Sequence, residues 1–119
     1  MCPMPPAHHD QRIFDRARRI ALEEQDAFLK SLKAQPSEFR ERLAGVTIRF
    51  DERPSKAMVE RGVSPEALSL VERDEKTIVL FLLNLADRYG KFAGDFRREL
   101  RRVMAEELEG LTGMEWPCP

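Results

Sequence analysis

Three carboxylates that could act together, Glu106, Glu109 and Glu115, lie close to one another near the end of the chain. Oxygen ligands of this kind suit a hard cation such as Mg²⁺ or Ca²⁺, and a metal-dependent hydrolase can be built on them. Just upstream, Arg97, Arg98, Arg101 and Arg102 form the densest basic cluster of the sequence, the residue type that contacts phosphate. Glu99, Glu106, Glu107 and Glu109 are interleaved with it or adjacent to it, and no aromatic stacking platform accompanies it. A solvated, mixed-charge helix face is therefore expected in preference to a nucleic-acid surface, with Arg102 and Glu106 as an ordinary pair four residues apart. His8 and His9 stand at the opposite end with Cys2, so no Ser-His-Asp or Cys-His arrangement can be assembled around them. No glycine-rich phosphate loop is present either.

The rest of the chain must position those groups. Its 119 residues are enough for one domain with a stable core of its own. The 20 Lys and Arg against 21 Asp and Glu leave a net charge of −1, so no global field draws the protein to nucleic acid or to an anionic membrane. The longest apolar run, Ile78 to Leu83, is far shorter than the ~18 residues a membrane helix needs. Residues 1–9 lack the basic and apolar regions of a secretory signal, which makes a cytoplasmic location the expectation. Three prolines among the first six residues predict a flexible arm there, carrying His8 and His9. In a reducing compartment Cys2 and Cys118 are expected as free thiols.

Apolar spacing of three and four residues predicts a helix from Asp10, as N-cap, to about Lys33, burying Ile13, Phe14, Ala17, Ile20, Ala21, Phe28 and Leu32. A short helical turn follows Pro36 and closes at Gly45. Val46-Thr-Ile-Arg-Phe50 alternates with period two and reads as a half-buried strand. Ser55 can cap a short helix that Gly62 stops. Leu68 to Glu72 and Thr77 to Phe81 flank the polar Arg73-Asp-Glu-Lys76 as the arms of an antiparallel hairpin. The second arm is apolar without alternation, as a strand covered on both faces would be. Asn84 to Tyr89 predicts a short helix, and Asp95 the N-cap of a last helix whose stripe is Phe96, Leu100, Val103, Met104, Leu108 and Leu111. Helices bracketing a few strands make an α+β class.

Three passages now carry a likeness. They are Phe39-Arg-Glu-Arg-Leu-Ala-Gly-Val-Thr-Ile-Arg-Phe-Asp-Glu-Arg-Pro54, then Thr77-Ile-Val-Leu-Phe-Leu-Leu-Asn-Leu85, then Phe96-Arg-Arg-Glu-Leu-Arg-Arg-Val-Met104 running into Ala105-Glu-Glu-Leu-Glu109. In sequence and spacing, from about Ala27 to Met114, the chain resembles the compact bacterial zincin-like metallopeptidases, a minimal form of the zinc-protease fold. Their last helix carries H-E-x-x-H, in which two imidazoles bind zinc and the Glu acts as general base. A glycine follows seven residues after the first His, and a third, often acidic ligand near ten. The resemblance places Ala105 and Glu109 at the two His positions, Glu106 at the base and Glu115 at the third ligand. Thr112 stands at the glycine position, with Gly113 one step beyond.

The resemblance implies an N-terminal helix, a small mixed or antiparallel sheet of about three strands and a C-terminal former active-site helix across residues 10–114, followed by a tail, residues 115–119. It also implies zinc as the family's cofactor, with its ligands missing here. The expected function is a non-catalytic binding or regulatory module with a protein or peptide partner; the alternative is a hydrolase whose site is rebuilt on Glu106, Glu109 and Glu115. At ~100° per residue, Ala105 and Glu109 lie about 140° to 180° from Leu100, predicting that they share a face opposite the core. Trp116 in the tail is expected to pack back on the domain.

Overall fold

The computed structural model describes residues 6–89 and 93–113. It has an α+β fold in the order α1 (Pro6–Leu32), α2 (Ser37–Leu43), β1 (Thr47–Asp51), α3 (Lys56–Glu60), β2 (Ser69–Glu72), β3 (Thr77–Phe81), α4 (Leu82–Tyr89) and α5 (Ala93–Thr112). The strands form one mixed sheet in the order β1-β3-β2, with β1 parallel and β2 antiparallel to β3. Every residue of β3 is buried, as its unbroken apolar run required of a central strand.

The two faces of β3 are packed by different partners. Ile78 and Leu80, paired with Ile48 and Phe50 of β1, turn toward α1, α4 and α5 and join Ala17, Ile20, Leu85, Phe96, Leu100, Met104 and Leu108 in the main core. Val79 and Phe81 point the other way and pack with Met58, Val63, Ala67 and Leu70. Short as it is, α3 thus closes the second face. Ser55 fixes its start by accepting the Met58 N–H at 3.2 Å, and Gly62, at φ +102°, supplies the left-handed turn that ends it. Asn84 ties α4 to the β2 approach, its amide donating to the Pro65 and Ala67 carbonyls while its oxygen accepts from Arg53.

Three helix starts differ from the sequence reading, the smallest difference being α4, which begins at Leu82 and not at Asn84. The first helix begins at Pro6, four residues before Asp10, because a proline in the first turn gives up an N–H that has no helical partner anyway. The last begins at Ala93, which puts Asp95 inside the first turn, where its charge complements the helix N-terminus without being the cap. Among the described residues no helix is long and apolar enough to cross a membrane.

Candidate functional site

The α5 helix is held on two sides at once. Phe96, Leu100, Val103 and Leu108 pack into the main core, while Arg97 and Arg101, a turn apart, reach over α1. There they meet Glu24, the only charged residue buried among the described residues, at 7% exposure. Arg97 donates to Glu24 Oε1 at 2.8 Å and to Glu23 at 2.7 Å; Arg101 donates to both Glu24 oxygens at 2.8 and 3.2 Å. Burial alone would raise the Glu24 pKa, but the hydrogen bonds and charges of Arg101 and Arg97 outweigh it and hold the carboxyl below the ordinary range. Beneath this clamp runs a groove of about 310 Å³ between the helices, floored by Phe28, Met104, Ala105 and Leu108.

The motif window lies along this helix and its residues separate. Ala105 is buried at the groove, facing α1, and does not share a solvated face with Glu109. Beyond the core side of α5, α1 adds a second contact side, and together they widen the covered arc until it takes in Ala105. Glu106 is exposed, and its carboxylate accepts from Arg102 Nη1 at 2.7 Å, the ordinary pair that the spacing predicts. Arg102 also donates to Glu99 at 2.6 Å and to the Tyr89 hydroxyl at 3.2 Å, and its own pKa is raised by those carboxylates. Glu109 is half-buried. Glu115 lies outside the described residues, as do Cys2, Trp116 and Cys118, and His8 and His9 fall in the first turn of α1 with side chains outside the description.

The sequence reading passed over Glu107. It is half-buried, and burial pushes its carboxyl above the ordinary carboxylate range, with the charge of Glu106 adding to the rise and the Ser69 hydroxyl of β2 and Arg73 offsetting part of it. The signal was available: seven residues after Leu100, Glu107 sits only about 20° from it, on the apolar stripe itself. Gly113 takes φ +74°, a conformation that favours glycine, and donates to the Glu109 carbonyl at 2.7 Å as the helix ends. Were the sequence resemblance taken one residue later, with Gly113 at the glycine position, Glu107 instead of Glu106 would fall at the base and Glu106 and Gly110 at the two ligand positions.

The end of α5 is fixed from outside the helix. Arg73 donates to the Gly110 carbonyl at 3.4 Å and Arg42 to the Thr112 carbonyl at 3.3 Å, placing positive charge where the helix dipole is negative. Among the described residues no three His, Cys, Asp or Glu side chains gather in a way that could hold a metal ion. The four arginines of the basic cluster all face carboxylates: Arg97 and Arg101 on α1, Arg98 on Asp95 at 3.5 Å, and Arg102 on Glu99 and Glu106. An incoming phosphate must compete with each of these. Comparison of the chain with protein-family models, with curated proteins and with solved structures finds no match in any of the three.

Proposed function

We propose that this chain is a zincin-like domain whose former active-site helix has lost its zinc ligands and that it acts, in the cytoplasm, as a non-catalytic module binding a protein or peptide. The observation that carries this reading is a carboxylate with the character of a general base on a helix without ligands beside it. Glu107 is half-buried and its carboxyl is pushed above the ordinary range, the direction in which a general base is tuned. Around it, neither register supplies an imidazole: in the first the ligand positions are the buried methyl of Ala105 and Glu109, in the second the Arg102-paired Glu106 and the bare Gly110. Zinc sites of this kind draw most of their protein ligands from His or Cys, and neither register offers one.

Zinc analysis of the purified protein, alone and with restored histidines, tests the reading. The native chain is expected to carry no stoichiometric zinc and to leave a peptide library uncut. Glu106→His with Gly110→His is expected to gain zinc affinity, since a side chain added at Gly110 meets nothing within 4 Å. The pair Ala105→His and Glu109→His is expected to gain none, because Ala105 points into the α1 groove. Stoichiometric zinc in the native protein together with chelator-sensitive cleavage would overturn the proposal.

A further inference from the structure

Among the described residues, a run of arginines without ion pairs lies on α1, away from the motif helix. Arg12, Arg16 and Arg19 recur at i, i+4 and i+7, which confines them to an arc of about 60° along one exposed flank of the helix. None of the three side chains has an ion pair or hydrogen bond among the described residues, and the acid beside Arg16, Asp15, is engaged by Gln11 at 2.9 Å. Arg12 and Arg16 stand at the mouth of a groove of about 260 Å³ between α1 and the place where α4 and α5 meet. Its remaining described walls are Ile13, Ala17, Ile20, Ala86 and Phe96, and among the described residues no acidic side chain lines it. The floor is part of the packed core, since Ala17, Ile20, Ala86 and Phe96 are all exposed by 7% or less. Two like charges one turn apart repel each other, and an anion between them removes that repulsion.

We propose that this groove binds a small amphipathic anion, its carboxylate bridging Arg12 and Arg16 and its apolar body lying along Ile13, Ile20 and Phe96. A concave, apolar site with a few convergent polar groups is the usual form of a small-molecule pocket. At the ~30 Å³ that a water occupies in the liquid, the groove has room for roughly nine heavy atoms, about a medium-chain fatty acid with its head outside. Guanidinium groups match a carboxylate in geometry as well as charge. The proposal does not depend on how α5 is read: the zinc measurements can fail while this site stands, and the reverse.

Octanoate is the probe, with octanol carrying the tail alone and acetate the head alone, followed through the methyl NMR signals of Ile13 and Ile20. Octanoate is expected to shift them saturably with a Kd on the order of 1 mM, and each half-probe to bind at least about tenfold more weakly. Arg12→Gln with Arg16→Gln is expected to raise the octanoate Kd about tenfold and leave that of octanol unchanged. Equal octanoate affinity in native and double-variant proteins overturns the proposal, as does the absence of shifts at Ile13 and Ile20. Sedimentation with anionic lipid vesicles in the absence of octanoate binding overturns it too, assigning the arginines to a membrane surface.

Discussion

Two groups of four arginines lie on the two long helices of this protein, and the fold treats them in opposite ways. On α5 the guanidinium groups of Arg97, Arg98, Arg101 and Arg102 all face carboxylates, and two of them converge on the buried Glu24. On α1 the exposed Arg12, Arg16, Arg18 and Arg19 have no partner among the described residues. The residue type and density are alike, so composition cannot distinguish them. What differs is the neighbour across the helix interface: Glu23 and Glu24 on α1 come within reach of α5, while the opening half of α1 looks across at Ala86 and Phe96, which are apolar. Arginine density in a sequence therefore locates positive charge poorly; the acids brought opposite by the fold decide how much of it remains available.

The largest effect comes from removing the acid that makes the difference. Glu24→Ala strands Arg97 and Arg101 over an apolar groove, and breaking a buried pair costs about 3 to 5 kcal/mol where both partners are buried. Here Arg101 is about half exposed, so a loss nearer about 2 kcal/mol is expected in urea unfolding. Its pH dependence follows from the sign of the shift. Because the folded pKa is depressed, the stabilisation is complete above the ordinary carboxylate pKa of the unfolded chain and is lost as pH falls through the lower folded value. Glu24→Gln should flatten that acid limb of the stability curve. A variant that unfolds with acid as the native protein does would show that other carboxylates dominate and that the clamp is incidental.

Glu107 predicts the reverse and a smaller effect. Its folded pKa is raised, so its contribution is present below the unfolded carboxylate pKa and is lost as pH rises through the folded value. Glu107→Gln is therefore expected to gain a few tenths of a kcal/mol at neutral pH, the scale of partly screened charge, and to match the native protein in acid. Stability measured at the two pH values separates this from a packing effect, which would shift both equally. A loss at neutral pH would mean that the ionised carboxylate is held by Ser69 and Arg73 more strongly than burial opposes it.

Much of this molecule was legible in its sequence because local chemistry and tertiary packing agree there. The alternation of Val46, Ile48 and Phe50, the unbroken apolar run of β3 and the cap at Ser55 each follow from one-dimensional pattern, and each is present. The α5 stripe from Phe96 to Leu108 likewise faces the core. The burial of Ala105 was not legible, since an alanine at the edge of a helical stripe is covered or exposed according to whether a second helix lies beside it. Nor was Glu24 conspicuous: a Glu amid the charges of an amphipathic helix reads as solvated, and only the arrival of two arginines from more than seventy residues away makes it a buried anchor. Glu107 is the opposite case, in which rotation about the helix axis placed an acid on the apolar face and its significance was passed over.

The smallest expected effect is the sharpest test of the contrast between the helices. Substituting paired arginines on α5 should destabilise the fold, because each leaves a carboxylate behind. On α1 the sign should reverse. Arg12 and Arg16 lie one turn apart, the intervening Asp15 is engaged by Gln11, and like charges at that spacing cost a helix about 0.2 to 0.5 kcal/mol. Arg12→Gln with Arg16→Gln retains good helix formers at exposed positions, so the ligand-free protein should become more stable by a few tenths of a kcal/mol. The gain should shrink with added salt as the repulsion is screened. A shift in the urea midpoint at low ionic strength, with unchanged slope, would measure it. If the double variant is instead less stable at every salt concentration, the α1 arginines have partners within the fold, and the two helices are alike after all.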